Sequence, residues 1–291
     1  MVKLIAIDLD GTLLDKGKYI SEKNIEALRF AQKRGLEVVI ATGRANFDAQ
    51  NILKEFDINP WIIGTNGATI HDPRGELFYS IPLNQQNASH MLNILEDEFL
   101  YYEAFIDHQI CAPKYGKELL FQEIDQLMSK SSHMDKSLLK LEIEIQFGQS
   151  GFTIIDSYRN LLEQDKDIYN ILAISFDDKK LQKGWERFLD IPELTIVKSG
   201  KNNFHLQHEQ ASKGNALEIL AKQLNVDLVD TAAVGDNYND LPMLQIVGRS
   251  AAMGNADQEI KDLCDMVTLT NEKDGVAHFI YSLINEKPII G

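Results

Sequence analysis

The chain has 291 residues, of which 44% are hydrophobic and 25% are charged, a composition typical of globular domains. Its 44 Asp and Glu residues outnumber its 29 Lys and Arg residues. The resulting net charge of −15 argues against nucleic acids and anionic membranes as partners, because both bind concentrated basic surfaces. Cys111 and Cys264 are too few for a disulfide framework, and no apolar run approaches the ~18 residues of a membrane span. We therefore expect a cytoplasmic chain of about two domains.

The N-terminal part of the chain predicts strands that alternate with single helices. Apolar runs at 2–9, 37–41 and 61–64 are typical of strands that are buried on both faces. Ser21 is a predicted N-cap for a helix that ends near Gly35, and a second helix is predicted between the second and third strands. This alternation favours right-handed βαβ units and a parallel sheet.

The middle of the chain loses this alternation from about residue 83. A helix is predicted near 90–99, and the polar segment 129–137 is predicted to be a surface loop. The predicted strands of this part lie at 104–110, 141–147, 171–176 and 194–198.

The alternation returns near Ser212. The predicted elements there are a helix at 216–224, strands at 231–234, 249–253 and 265–269, and a helix at 276–284. We therefore predict an α/β fold with a doubly wound, Rossmann-like parallel-sheet core formed by residues 1–82 and 208–291. A second α/β domain is predicted to be inserted over residues 83–207.

Acidic clusters follow two of the predicted core strands, at the edge where open parallel sheets bind ligands. Asp8 and Asp10 end the first strand, and Asp236 and Asp240 follow the strand at 231–234. Neighbouring carboxylates repel one another unless a cation lies between them, so this set of hard oxygen ligands suits Mg²⁺. Taken one at a time, the same residues also fit ordinary turn and loop positions.

Lys213 follows a predicted N-cap, Ser212, and so lies in the first turn of a helix, where the helix dipole disfavours a cation. An anionic ligand would remove this conflict, because the ammonium group and the helix N–H groups would bind the same anion. Thr42 and Gly43 add a hydroxyl and an unhindered backbone at a strand-to-helix turn, which suits a phosphate oxygen. The alternative for Lys213 is an exposed side chain that solvent tolerates.

As a set, these clusters resemble the four motifs of haloacid dehalogenase superfamily phosphatases. The matching segments are Asp8-Leu9-Asp10-Gly11-Thr12-Leu13-Leu14, Thr42-Gly43-Arg44, Lys213-Gly214 and Gly235-Asp236-Asn237-Tyr238-Asn239-Asp240. Asn66-Gly67-Ala68, the Asn239-Asp240 pair and the large insertion are similar to the Cof-type subgroup. The resemblance covers the whole core, whereas for the insertion it rests on position and length.

The resemblance implies a role for each motif. Asp8 would be the nucleophile that forms an aspartyl-phosphate, and Asp10 would be the general acid and then the general base. The implied phosphate-binding residues are Thr42, Gly43, Lys213 and Asn239. The implied Mg²⁺ site consists of the Asp8 side chain, the Asp10 backbone carbonyl and Asp236, with Asn239 and Asp240 in supporting positions.

The expected enzyme is a Mg²⁺-dependent phosphoric monoester hydrolase that acts on a small phosphorylated metabolite, either a sugar phosphate or a phosphorylated cofactor. The insertion at 83–207 would select the substrate. Two alternatives stay open. A sugar-phosphate mutase or other phosphotransferase would return the phosphoryl group to another hydroxyl, and a non-catalytic module would only bind Mg²⁺ and phosphate. The Asp8 and Asp10 pair weighs against such a module, which needs no general acid.

Overall fold

A computed structural model describes residues 2–56, 58–130, 136–148, 151–198 and 200–285. The chain divides into two compact units. Unit 1 consists of Met1–Ser80 and Ala211–Gly291, and unit 2 is Ile81–Gln210. The sequence placed the two boundaries at 82/83 and 207/208. The assignment of catalysis to the first unit and of substrate selection to the second stays a prediction.

The first part of unit 1 begins with a strand that is buried along its whole length. The elements are β1 (Leu4–Asp8), α1 (Glu22–Lys33), β2 (Glu37–Ala41), α2 (Asn46–Lys54), β3 (Trp61–Gly64), β4 (Thr69–His71) and β5 (Leu77–Ser80). Ser21 caps α1 as predicted, because its side chain accepts a hydrogen bond from the Asn24 backbone.

Unit 2 is built on a six-stranded sheet in the order β10-β11-β9-β6-β7-β8, in which β7 and β8 are parallel and the other neighbours are antiparallel. Its elements are α3 (Gln85–Asp97), β6 (Tyr101–Ile106), β7 (Gln109–Pro113), α4 (Gly116–Lys130), α5 (Lys136–Phe147), β8 (Phe152–Ile155), α6 (Tyr158–Leu162), β9 (Asn170–Ile174), α7 (Asp178–Glu186), β10 (Leu194–Val197) and β11 (Asn203–His208).

The second part of unit 1 completes an eight-stranded sheet in the order β14-β13-β12-β1-β2-β3-β4-β5. Its elements are α8 (Lys213–Gln223), β12 (Thr231–Gly235), α9 (Leu241–Leu244), β13 (Arg249–Ala252), α10 (Gln258–Asp262), β14 (Met266–Val267) and α11 (Gly275–Asn285). The six strands from β14 to β3 are parallel.

Both faces of the parallel sheet are covered by helices. Along β1, Ile5 and Ile7 pack into the apolar cluster of α1 and α11, whereas Leu4 and Ala6 pack into the cluster of α8 and α9. The predicted α/β class, with a doubly wound parallel core and an inserted α/β part, is confirmed. None of the helices within the described ranges is long and apolar enough to cross a membrane.

Three predictions for the inserted part need correction. The predicted strand at 141–147 is wrong, because this segment belongs to helix α5. Its alternating apolar pattern is misleading: Leu141 is exposed, and Leu139, Ile143 and Phe147 pack at intervals of four residues. The predicted strand at 104–110 is a hairpin of β6 and β7. The predicted loop at 129–137 begins inside α4 and ends inside α5, and its middle residues, 131–135, lie outside the described residues.

Candidate active site

The carboxyl ends of β1, β2 and β12 carry the predicted polar clusters side by side. β1 pairs in parallel with both β2 and β12, and Asp8, its last residue, lies opposite Ala41. Thr42 follows β2 directly, and Asp236 follows β12. Residues that are far apart in the sequence therefore meet at one edge of the sheet.

Lys213 connects two of the carboxylates. The Ser212 side chain caps α8, so Lys213 begins the helix, and its side chain is fully buried. Lys213 Nζ donates to Asp8 Oδ1 and to Asp240 Oδ1, each at 2.6 Å. Burial lowers the pKa of Lys213, but the carboxylates of Asp240 and Asp8 outweigh burial and hold this pKa above its ordinary value. The side chain is therefore a buried ammonium ion, in contrast to the exposed lysine of the alternative.

Among the residues that the structure describes, Asp8, Asp236 and Asp240 form a group in which one carboxylate oxygen from each residue lies within 4.8 Å of the others. Burial, and then the charge of Asp240, raise the pKa of Asp8 well above its ordinary value, and Lys213 opposes this shift. The same two causes raise the pKa of Asp236 to about 6. Three acids thus share one ammonium group, and a divalent cation would neutralise the remaining negative charge.

The free oxygen atoms of this group fit a hard metal ion. Asp8 Oδ2 is buried, and no described group donates a hydrogen bond to it. Within the described part of the chain, Asp236 receives only long hydrogen bonds, from the Thr12 hydroxyl at 3.2 Å and from the Asn255 amide at 3.3 Å. Carboxylate oxygens of this kind are suitable ligands for Mg²⁺. Asp8 and Asp236 are therefore the side chains that best fit as direct ligands.

Asp240 has a different position from the other two acids. One of its oxygens accepts the hydrogen bond from Lys213, and the other accepts from the backbone N–H groups of Asp236 and Asn237 at 2.9 and 3.0 Å. Both oxygens are thus occupied, and Asp240 orients Lys213 and the loop that carries Asp236. This arrangement agrees with a supporting position at the metal site.

The Asp10 side chain is held by a separate set of cations. Arg44 Nε and Nη2 donate to its two oxygens at 2.6 and 2.8 Å, and Lys18 Nζ donates at 2.7 Å. Arg44 is held in turn by Asp48 at 2.6 Å. Burial raises the pKa of Asp10, but the bonds to Arg44 and Lys18 outweigh burial and hold this pKa well below its ordinary value. Asp10 is therefore ionised, and Arg44 binds both of its oxygens in a bidentate pair. The sequence did not indicate this arrangement.

The predicted phosphate-binding residues Thr42, Gly43 and Asn239 surround one residue without a predicted role, Asn66. The Asn66 backbone N–H donates to the Thr42 carbonyl at 3.0 Å, and a β carbon on Gly43 would lie 3.1 Å from Asn66 Oδ1. Asn239 Nδ2 donates to Asn66 Oδ1 at 3.0 Å. The sequence marks this position twice, because Asn66-Gly67-Ala68 is similar to the Cof-type subgroup and the dipeptide Asn66-Gly67 is a turn signal, but neither feature assigns a role to the Asn66 side chain.

Comparison with known proteins identifies the family of this site. The family model described as haloacid dehalogenase-like hydrolase matches residues 5–280. The chain belongs to this family. The predicted membership in the haloacid dehalogenase superfamily, Cof type, is thus confirmed, and the protein is a hydrolase of that superfamily.

Individual relatives cover nearly the whole of this hydrolase. It is 48% identical to phosphatase YwpJ of Bacillus subtilis over 97% of this chain and 100% of the relative. It is 35% identical to the 5-amino-6-(5-phospho-D-ribitylamino)uracil phosphatase YwtE of the same organism, over 98% and 99% of the two chains. A solved haloacid dehalogenase-like hydrolase from B. subtilis has a TM-score of 0.86 at 48% identity, covering 97% of this chain and 100% of that chain.

Proposed function

We propose that this hydrolase is a Mg²⁺-dependent phosphatase that removes the phosphoryl group from a small phosphorylated metabolite. The observation that carries the proposal is Asp8: a buried carboxylate with one oxygen held by Lys213 at 2.6 Å and the other without a hydrogen-bond donor among the residues that the structure describes. The hydrogen bond from Lys213 orients this carboxylate, and the ammonium group reduces the repulsion between it and a phosphate dianion. The relatives that are named phosphatases support the same reaction class.

In the proposed reaction, one carboxylate oxygen of Asp8 forms a bond to phosphorus while the bond from phosphorus to the leaving oxygen breaks, and the other carboxylate oxygen stays available to Mg²⁺. Water then attacks the aspartyl-phosphate and releases inorganic phosphate. Thr42 and Lys213 would bind phosphoryl oxygens throughout. Mg²⁺, when bound by Asp8 and Asp236, would neutralise negative charge at the phosphoryl group.

Asp10 is proposed to transfer the protons of both steps. Its ionised state suits the second step, in which it takes a proton from the attacking water. The first step needs a protonated Asp10 that donates to the leaving alcohol. It therefore requires the loss of at least one of the three contacts with Arg44 and Lys18.

The substrate is proposed to come from the class of small phosphate monoesters. The relative named for 5-amino-6-(5-phospho-D-ribitylamino)uracil makes that compound the first to test, beside sugar phosphates, nucleotides, flavin mononucleotide and pyridoxal phosphate. That the protein has no nucleic-acid or membrane partner stays a prediction, supported by the net charge of −15. A cytoplasmic location also stays a prediction, and the two cysteines agree with it.

The test of the proposal is phosphate release from an aryl phosphate in the presence of Mg²⁺. Asp8→Asn should reduce the rate to below about one thousandth of wild type, because an amide cannot replace the nucleophilic oxygen. Asp227→Asn, at an exposed position in unit 1, is the matched control and should retain full activity. Near-wild-type activity of Asp8→Asn would remove Asp8 as the nucleophile. With a sugar phosphate as the substrate, formation of an isomerised sugar phosphate without stoichiometric inorganic phosphate would favour a mutase.

A further inference from the structure

The turn between β3 and β4 has an unusual backbone. Thr65, Asn66 and Gly67 have φ values of 53°, 55° and 98°, all in the left-handed region, which is unfavourable for a β-branched residue such as Thr65. The Thr65 N–H donates to the Arg44 carbonyl at 2.8 Å, and the Asn66 N–H donates to the Thr42 carbonyl at 3.0 Å. The strained turn is thus attached directly to the segment that follows β2.

This backbone places the Asn66 side chain among the predicted phosphate-binding residues. Asn66 is 2% exposed. Its amide lies against the Cα of Gly43, because a β carbon there would be 3.1 Å from Asn66 Oδ1 and 3.6 Å from Nδ2. The Asn239 amide donates to Asn66 Oδ1 at 3.0 Å, which fixes the orientation of the Asn66 amide plane.

Asn66 Nδ2 is a buried donor for which the described residues provide no acceptor. A buried amide N–H group without a partner is unfavourable, and most such groups in proteins are hydrogen-bonded. The neighbouring groups are also donors: the hydroxyl of Thr42, the backbone at Gly43 and the amide of Asn239. Asn66 Nδ2 therefore needs an acceptor from outside this set of groups. An anion with several oxygens would accept hydrogen bonds from several of these donors together.

We propose that Asn66 is a substrate-binding residue whose Nδ2 donates a hydrogen bond to a non-bridging oxygen of the phosphoryl group. Asn239 is then a positioning residue that orients the Asn66 amide. This inference rests on the proposed phosphatase function, and it assigns a binding role to a residue outside the four motifs. Asparagine suits the position because it adopts a left-handed backbone more readily than most residues and presents a donor without a charge.

The test measures binding of inorganic phosphate at saturating Mg²⁺, both by calorimetric titration and as competitive inhibition of aryl phosphate hydrolysis. Asn66→Gly keeps the left-handed backbone and removes the amide, and Asn66→Asp replaces the donor with a negative acceptor. Asn225 provides matched controls, because it also has a φ of 55° but is exposed at the end of α8. Asn225→Gly and Asn225→Asp should bind phosphate within twofold of wild type.

Asn66→Gly should weaken phosphate binding by about tenfold to a hundredfold, the range for loss of a hydrogen bond to a charged group, and should lower kcat/KM to a similar extent. Asn66→Asp should weaken binding further, because its carboxylate repels the anion. The Mg²⁺ affinity, measured separately by thermal shift, should stay unchanged. A purely structural role would lower the melting temperature without this selective loss of phosphate affinity.

The outcomes separate this inference from the proposed function. If wild type releases phosphate but Asn66→Gly binds phosphate as tightly as wild type, the inference is wrong and the phosphatase function stands. If wild type is inactive but binds phosphate in a manner that depends on Asn66, the inference stands and the hydrolytic function is wrong. If wild type neither hydrolyses the ester nor binds phosphate, both are wrong.

Discussion

Replacement of Lys213 by methionine tests whether its ammonium group holds the candidate site together. Lys213 Nζ lies 2.6 Å from both Asp8 and Asp240, and the side chains of Lys213 and Asp240 are completely buried. Methionine retains much of the volume of lysine but carries no charge. Lys213→Met therefore leaves Asp8, Asp236 and Asp240 within 4.8 Å of one another without a cation.

The expected loss of stability follows from this burial. Removal of one partner from a buried ion pair costs about 3–5 kcal/mol, because the remaining charge stays buried without compensation. For a folding unit of this size, such a loss lowers the melting temperature by on the order of 10 °C. Without Lys213, the pKa of Asp8, which burial and the charge of Asp240 already raise, should rise further, so the folded protein binds a proton that the unfolded chain does not bind. The stability of the variant should then fall as the pH rises. Its loss of stability relative to wild type should therefore be larger at pH 8 than at pH 5.

The assay is thermal melting of wild type and Lys213→Met in chelator at pH 5 and at pH 8. Lys222→Met is the matched control, since Lys222 lies on the same helix, is exposed and pairs with Glu218 alone among the described ion pairs. Its melting temperature should change little, because an exposed pair one turn apart contributes only about 0.3–0.5 kcal/mol. If Lys213→Met melts within about 2 °C of wild type at pH 8, Lys213 does not stabilise the buried acids.

Three further predictions concern stability. Burial raises the pKa of Asp236 to about 6, so its contribution to stability is present at low pH and is lost as the pH rises from about 4 through 6. The melting temperature of the metal-free protein should therefore fall as the pH rises across this interval. Saturating Mg²⁺ should reduce this fall. Burial likewise raises the pKa of Glu103 to about 7, and Glu103→Gln should remove part of the decline in stability between about pH 4.5 and 7; an unchanged pH profile would contradict this. Gly67→Ala places a β carbon 2.1 Å from the Ser212 carbonyl at a φ of 98° and should lower the melting temperature markedly. Gly35→Ala is the control, because Gly35 has a φ of 80° and a β carbon there would have no atom within 4 Å. Melting curves of the two variants should show a smaller loss of melting temperature for Gly35→Ala.

The fold was predictable because its signals are local. The five residues of β1 are all buried, and the apolar run of its first four residues is typical of a parallel strand covered on both sides. The Ser21 cap and the return of strand–helix alternation after Ser212 also depend only on neighbouring residues. These signals were sufficient for the class of fold and for the presence of an insertion.

The errors in the inserted part also have a local cause. The segment 141–147 alternates apolar and polar residues, which indicates a strand. The same segment also has apolar residues at intervals of four, and burial of Ile143 and Phe147 against the sheet of unit 2 selects the helix. The separation of β6 from β7 depends on a tight turn at Asp107 and His108 that the apolar pattern does not reveal.

For the candidate site, the sequence by itself determined which residue types stand at the carboxyl ends of the strands. Asp8, Thr42, Lys213 and Asp236 were identified because each breaks a local expectation or matches a motif. Their proposed roles still await the experiments above. The net charge of −15 describes only the whole molecule, whereas Lys213 and the acids around it determine the local charge at the candidate site.

Tertiary structure alone decided how these groups interact. Lys213 contacts Asp8 across 205 positions of the chain, and Arg44 contacts Asp10 across 34. Asn66 Nδ2, a donor without an acceptor in the described ranges, belongs to a left-handed turn and to an amide that Asn239 contacts from 173 positions away. Protonation states and unpaired donors depend on distances between distant segments. Local residue patterns specify strands, caps and turns, but such distances exist only after the sheet has brought its strand ends together.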